Sequence, residues 1–410
     1  MNRRSFVKSA TGLYLSSFAM PELAKADESP DRKFVVLIQI GGGWDVTLGL
    51  DPWTATERPD PSDMFIEYRD DEVLRLDGGI ALGPSATPLQ RHAQDISVVN
   101  GVFLSQVDNG HGAAAIYMNS GSGNGSVSSF PMEIANFGDV GPLGVFYDRY
   151  ITKASRSTIA TSLDELRQLP NSEDPSDILA LIYKNINSKS AMGNAIRAML
   201  ASRDTTRLLK AKIEALSNQY QSIPKEELLL AGLEAGACHQ GAIMIDESLD
   251  THANHVGQHK TAQLRAWQKV ANIFDKFKQR EFRAGQSMFD NTLFVVVSEF
   301  ARTASLNGAR GKDHNPMTNS VLFAGAGFRK KQSVGASKLI PASQSRQGTS
   351  YHIANPINYR TGQVERQRTE ESRMIFPENI IKTASRIALP DQTNYSVLPE
   401  GVELLNQLLL

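Results

Sequence analysis

In 410 residues there is a single cysteine, Cys238. That excludes an intramolecular disulfide framework and a zinc site built from several cysteines. Any metal bound here has to rest mainly on oxygen and nitrogen donors. Charge of one sign is also missing: 43 basic residues oppose 44 acidic ones, and the formal net charge is −1. Without a basic block there is no footprint for nucleic acid, and without an acidic run no solvating tail. Long apolar runs are absent as well, none approaching the ~20 residues that a membrane span needs. No internal repeat is visible.

What is present begins with MNRRSFVKSATGLYLSSFAMPELAKADE. Arg3-Arg4 followed by Ser5, Phe6 and Lys8 resembles the twin-arginine export motif. A short apolar stretch at 12–20 and the small-x-small triplet Ala24-Lys25-Ala26 complete a cleavable signal. Residues 1–26 are therefore expected to be a signal peptide read by the twin-arginine translocase. The remainder, 27–410, is expected to work as one domain in the periplasm or outside the cell.

Residues 34–40 (FVVLIQI) and 293–297 (LFVVV) read as strands covered on both faces, the second with no polar alternation, and 96–102 (ISVVNGV) as a further short strand. These runs predict an α/β fold with a central, mostly parallel sheet sandwiched by helices. Residues 51–94 read as a surface insertion, and about 165–225 as a helical insertion. Helices are expected at 174–187, 191–220, 258–279 and 379–389, with a last one at 402–410. On 258–279 the apolar face is Leu264, Trp267, Val270, Ile273, Phe274 and Phe277.

Ligands of such sheets collect at the carboxyl ends of the strands, and acids follow the apolar runs at just those places. Asp45 comes after Gly41-Gly42-Gly43-Trp44, as a cap or a metal ligand. Glu299 and Arg302 follow 293–297, and Asp313-His314 arrive on a Gly- and Asn-rich loop. Asp250, His252, His255 and His259 crowd ten positions, as polar capping or as donors that suit zinc, manganese or iron. His111, between Gly110 and Gly112, starts a helix whose first N–H groups favour an anion; simple packing there is the competing reading. His352 is isolated and structural.

GGGWD, HGAAAIYMNSG, DTHANH, VVSEFART and GKDHNPMTNSVLFAGAG, in that order and spacing, resemble a bacterial family catalogued as a domain of unknown function (the 1501 family). That family is often exported by the twin-arginine route and is similar to a remote branch of the alkaline phosphatase and sulfatase superfamily. The resemblance implies an alkaline phosphatase-like α/β domain that hydrolyses phosphate or sulfate esters with a divalent metal, Zn or else Mn, Ca or Fe. It implies metal ligation by Asp45, Asp250, His252 or His255, Glu299, Asp313 and His314. Arg302 and Lys312 would bind the oxygens of an anionic ester, and His111 would stand at or beside the nucleophile position. Two departures are visible. No Ser, Thr or Cys begins the helix, although Ser105, Ser120 and Ser122 are near, and Phe300 stands where an imidazole is expected. They leave open one metal, or two with a rearranged ligand set. They also leave open a non-catalytic envelope binding or assembly protein, and a transferase of phosphate or sulfate groups.

Overall fold

The computed structural model describes residues 34–54, 63–104, 110–123, 125, 127–138, 140–149, 159–168, 203–345, 348–365, 369–391, 398 and 401–410. The signal peptide at 1–26, the helix at 174–187 and Ser105 lie outside them. The main sheet has eight strands. They are β1 (Phe34–Gly41), β2 (Ile96–Asn100), β3 (Val145–Tyr147), β4 (Ala160–Ser162), β5 (Gln240–Asp246), β6 (Thr292–Ser298), β7 (Ser320–Gly325) and β8 (Ser333–Val334). Their order across the sheet is β8-β2-β7-β6-β1-β5-β3-β4. Strand β7 runs antiparallel to both neighbours, β6 and β2, and the other pairs are parallel. The mostly parallel sheet expected from the sequence is what the chain forms.

Side chains alternate across a strand, and here the two sets enter two different cores. Phe34, Val36, Ile38 and Ile40 of β1 join Phe294 and Val296 of β6 in the first. Val35 and Leu37 join Leu293, Val295 and Val297 in the second. The first core is closed by helices α3 (Arg203–Ser217), α4 (Lys225–Glu234) and α5 (His255–Gln279). The second is closed by α1 (His111–Ser120), α2 (Phe130–Phe137) and α6 (Pro377–Ala388). Strands buried on both faces therefore need helices on both sides, which is the physical content of their unbroken apolar runs.

Several expectations are corrected. The tract 51–94 is not all surface insertion: Ile80, Leu82, Ala86 and Leu89 are core residues. Ala86 and Leu89 belong to the 3₁₀ helix Pro84–His92, whose three-residue repeat stacks i and i+3 on one side. Leu264 is 38% exposed, because the buried stripe of α5 runs instead through His259, Gln263, Ala266, Trp267, Val270, Phe274 and Phe277. The expected last helix is a single 3₁₀ turn, Asn406–Leu408. Outside the main sheet, Tyr351–Ala354 pairs with Ser337–Ile340.

Candidate metal centre

Since β7 is antiparallel to β6 and to β2, strand β2 points the same way as β6, β1 and β5. The segments after those four strands leave from one sheet edge, and the β6–β7 connection returns to it. Asp45, His111, Asp250 and Glu299 follow β1, β2, β5 and β6, and His314 precedes β7. Two glycines make the first turn possible. Gly42 and Gly43 have φ of 97° and 77°, and a Cβ on Gly43 would run into the Phe300 ring. Across the edge a small ladder pairs Ala301–Arg302 with His314–Asn315, setting Arg302 opposite His314.

His111, Asp250 and His314 each offer a donor atom, and the three atoms lie within 4.8 Å of one another. Asp250 is the hub. Its Oδ2 is 3.3 Å from His111 Nε2, and its Oδ1 is 3.3 Å from His314 Nε2 and 3.2 Å from His252 Nε2. The Nε2 atoms of His252 and His314 are 2.8 Å apart. Each flanking imidazole is held from behind by a carboxylate. Glu299 Oε1 accepts at 2.9 Å from His111 Nδ1, and Asp313 Oδ1 lies 2.9 Å from His252 Nδ1. Those carboxylates are fixed in turn, Glu299 by the Gly42 N–H at 2.6 Å and Asp313 by Asn307 Nδ2 at 2.9 Å. Phe300 lies under the cluster, stacked on His314 at 4.0 Å and tilted against His111 at 4.9 Å.

Charge is distributed accordingly. The Glu299 bond raises the pKa of His111 above its ordinary value against the opposing effect of burial. Partial burial pushes the Asp250 carboxyl up, but Arg302 and His314 outweigh it and bring it to about 2. Arg302 is fully buried. Its guanidinium donates to the carbonyls of Gly43 at 3.1 Å, Lys312 at 3.0 Å and Gly42, and to Asp250 Oδ1 at 2.7 Å. With its fork occupied in this way it faces Asp250 and not an incoming anion, contrary to expectation.

Asp45 and His255, expected among the ligands, sit in a separate buried cluster. Asp45 Oδ2 accepts from Lys312 Nζ at 2.5 Å and lies 3.4 Å from His255 Nε2. Lys312, expected to meet substrate, is 1% exposed and spent on that pair. His259, Thr251 and Gln263 complete the cluster. Sequence reading gave Thr251 and Gln263 no part in the site, although a polar stripe at 255, 259 and 263 on an otherwise apolar helix face was a usable signal. It also passed over Asn307 and the role of Phe300 as an aromatic floor.

Among solved structures, the fold resembles a protein in the alkaline phosphatase superfamily from Vibrio parahaemolyticus, at TM-score 0.33 and 12% identity. The match covers 75% of this chain and 64% of that one. It resembles the lipoteichoic acid synthase LtaP from Listeria monocytogenes, at 0.32 and 10%, covering 74% and 68%. It also resembles the alkaline phosphatase of the Antarctic bacterium TAB5, at 0.33 and 13%, covering 72% and 92%. No curated protein matches by sequence. Residues 152–369, more than half of the chain, match the family described as "Protein of unknown function (DUF1501)", and the chain belongs to that family.

Proposed function

We propose that this chain is an exported hydrolase of phosphate or sulfate esters that works with one divalent cation, held by His111, Asp250 and His314. The observation that carries the reading is the convergence of these three donors within 4.8 Å, with the far nitrogen of His111 bound to Glu299. Metal-binding histidines characteristically give their second nitrogen to a carboxylate, which fixes tautomer and ring orientation. Two imidazoles and a carboxylate suit zinc and leave a coordination position open, the pattern of catalytic rather than structural sites. The ester class is what the resemblance carried by the sequence motifs implies, and the start of α1 adds N–H groups that favour an anion.

When bound, the cation would polarise an ester oxygen and acidify a bound water. The chain's own residues have separate tasks. Glu299 keeps His111 Nε2 aimed at the centre, and Arg302 keeps Asp250 ionised and in place. His252 is half exposed and backed by Asp313, so its Nε2 can take or give a proton at the mouth of the site. Phe300 excludes water beneath two of the rings.

Export rests on the Arg3-Arg4 motif; among the described residues no helix is long and apolar enough to cross a membrane. Metal analysis of protein purified without chelator should find one equivalent, lost in His314→Ala. An ester panel with added Zn, Mn and Ca should show turnover lost in the same variant. Absence of both metal and turnover would sink the reading, and metal without turnover would favour a binding role.

A further inference from the structure

The resemblance makes Asp45 a metal ligand, and the residues around it do not fit that part. Asp45 is 1% exposed, and both carboxylate oxygens are supplied with donors. Oδ1 accepts from the Thr47 N–H at 2.9 Å and the Thr47 hydroxyl at 2.6 Å. Oδ2 faces Lys312 Nζ at 2.5 Å and His255 Nε2 at 3.4 Å. An ionised carboxylate only accepts, so His255 must carry its proton on Nε2. Its Nδ1 then accepts from the Thr251 hydroxyl, 2.8 Å away. The same oxygen lies 2.9 Å from His259 Nδ1, and the Asp45 N–H reaches Gln263 Oε1 at 2.8 Å and His259 Nε2 at 3.1 Å, the last two being 2.9 Å apart. With its proton on Nε2, His255 has no lone pair pointing at the place a cation would take beside Asp45.

We infer that Lys312 is the built-in cation of Asp45, standing where a second metal would otherwise be needed, and that the pair positions the ligand loops without any ion. The rest of Lys312 shows how. Its N–H donates to the Thr251 carbonyl at 3.1 Å, and its own carbonyl accepts from Arg302 at 3.0 Å. Thr251 lies between Asp250 and His252, Arg302 holds Asp250, and Asp313 behind His252 is the next residue. One buried residue thus fastens the loop before β7 to the loop after β5 through its backbone and to the loop after β1 through its side chain. The count of ions rests on the proposed metal centre; the role of Lys312 does not.

Two measurements test this. In chelator-treated protein, Asp45→Asn and Lys312→Met should each lower Tm by about 5 °C or more, since each leaves a buried partner unmatched. The double variant should recover most of that loss. Additive losses would overturn the positioning role. Cobalt titration, read by the visible absorption of the bound ion, should saturate at one equivalent in the wild type and in Asp45→Asn, with the same spectrum. Two equivalents in the wild type, one of them lost in Asp45→Asn, would overturn the inference. Zero equivalents in the wild type would instead sink the proposed metal centre and leave the stability cycle to decide the role of Lys312.

Discussion

At the scale of single residues, Asp250 and His111 pull stability in opposite directions as pH changes. The Asp250 carboxyl falls to about 2 in the folded chain, below its unfolded value. Its contribution is therefore present above about pH 4 and is lost as pH drops towards 2. His111 is raised by Glu299. Its contribution is present below about pH 6.5 and fades as pH rises through the folded value. The metal-free protein should accordingly be most stable between roughly pH 4 and 6.5 as far as these two groups decide it. Thermal melts across pH in chelator check this: Asp250→Asn should flatten the acid limb and Glu299→Gln the alkaline one. Both groups are partly exposed, so each limb should be shallow. In the proposed centre the carboxylate behind His111 would also act on metal affinity. Glu299→Gln should weaken binding about 10- to 100-fold, the usual cost of losing a partner behind a metal-binding histidine. An unchanged dissociation constant would mean that His111 is not held for a metal.

At the scale of elements, what could be read in the sequence divides by how local its cause is. Strands β1 and β6 were legible because burial on both faces leaves an unbroken apolar run. Asp45, Glu299 and Asp250 stood out as acids just past such runs. The 3₁₀ helix Pro84–His92 was illegible, since its short period leaves no pattern long enough to distinguish from a loop. Partnership was illegible too. Asp45 and Lys312 are 267 positions apart, and His111 and Glu299 are 188 apart, so only the sheet order decides that Lys312 meets Asp45 and not a substrate. Gly311 shows how tightly that order is enforced. A Cβ there would collide with the His252 carbonyl, one residue before Lys312 pairs its N–H with Thr251. Gly311→Ala should push the two ligand loops apart and weaken metal binding at least 10-fold, with far-UV circular dichroism unchanged. Calorimetric titration measures the first effect, and wild-type affinity would show that the loops are not coupled there.

For the molecule as a whole, the question is what joins its two cores at the functional edge. The helices on one face of the sheet share few residues with those on the other, and each layer packs against its own set of strand side chains. The centre bridges them: His111 begins α1 on the second core, while Asp250 and His252 precede α5 on the first. An ion held by His111, Asp250 and His314 would tie both helical layers to the β6–β7 connection. Because it would bind the folded chain and not the unfolded one, a metal present at a hundred times its dissociation constant should add about 2.7 kcal/mol. For a domain of this size that corresponds to a rise in Tm of roughly 3 °C. Chelation should reverse it in the wild type, leave Lys312 holding the metal-free site together, and have no effect on His314→Ala. A chelator shift that persists in His314→Ala would place the stabilising ion elsewhere in the fold.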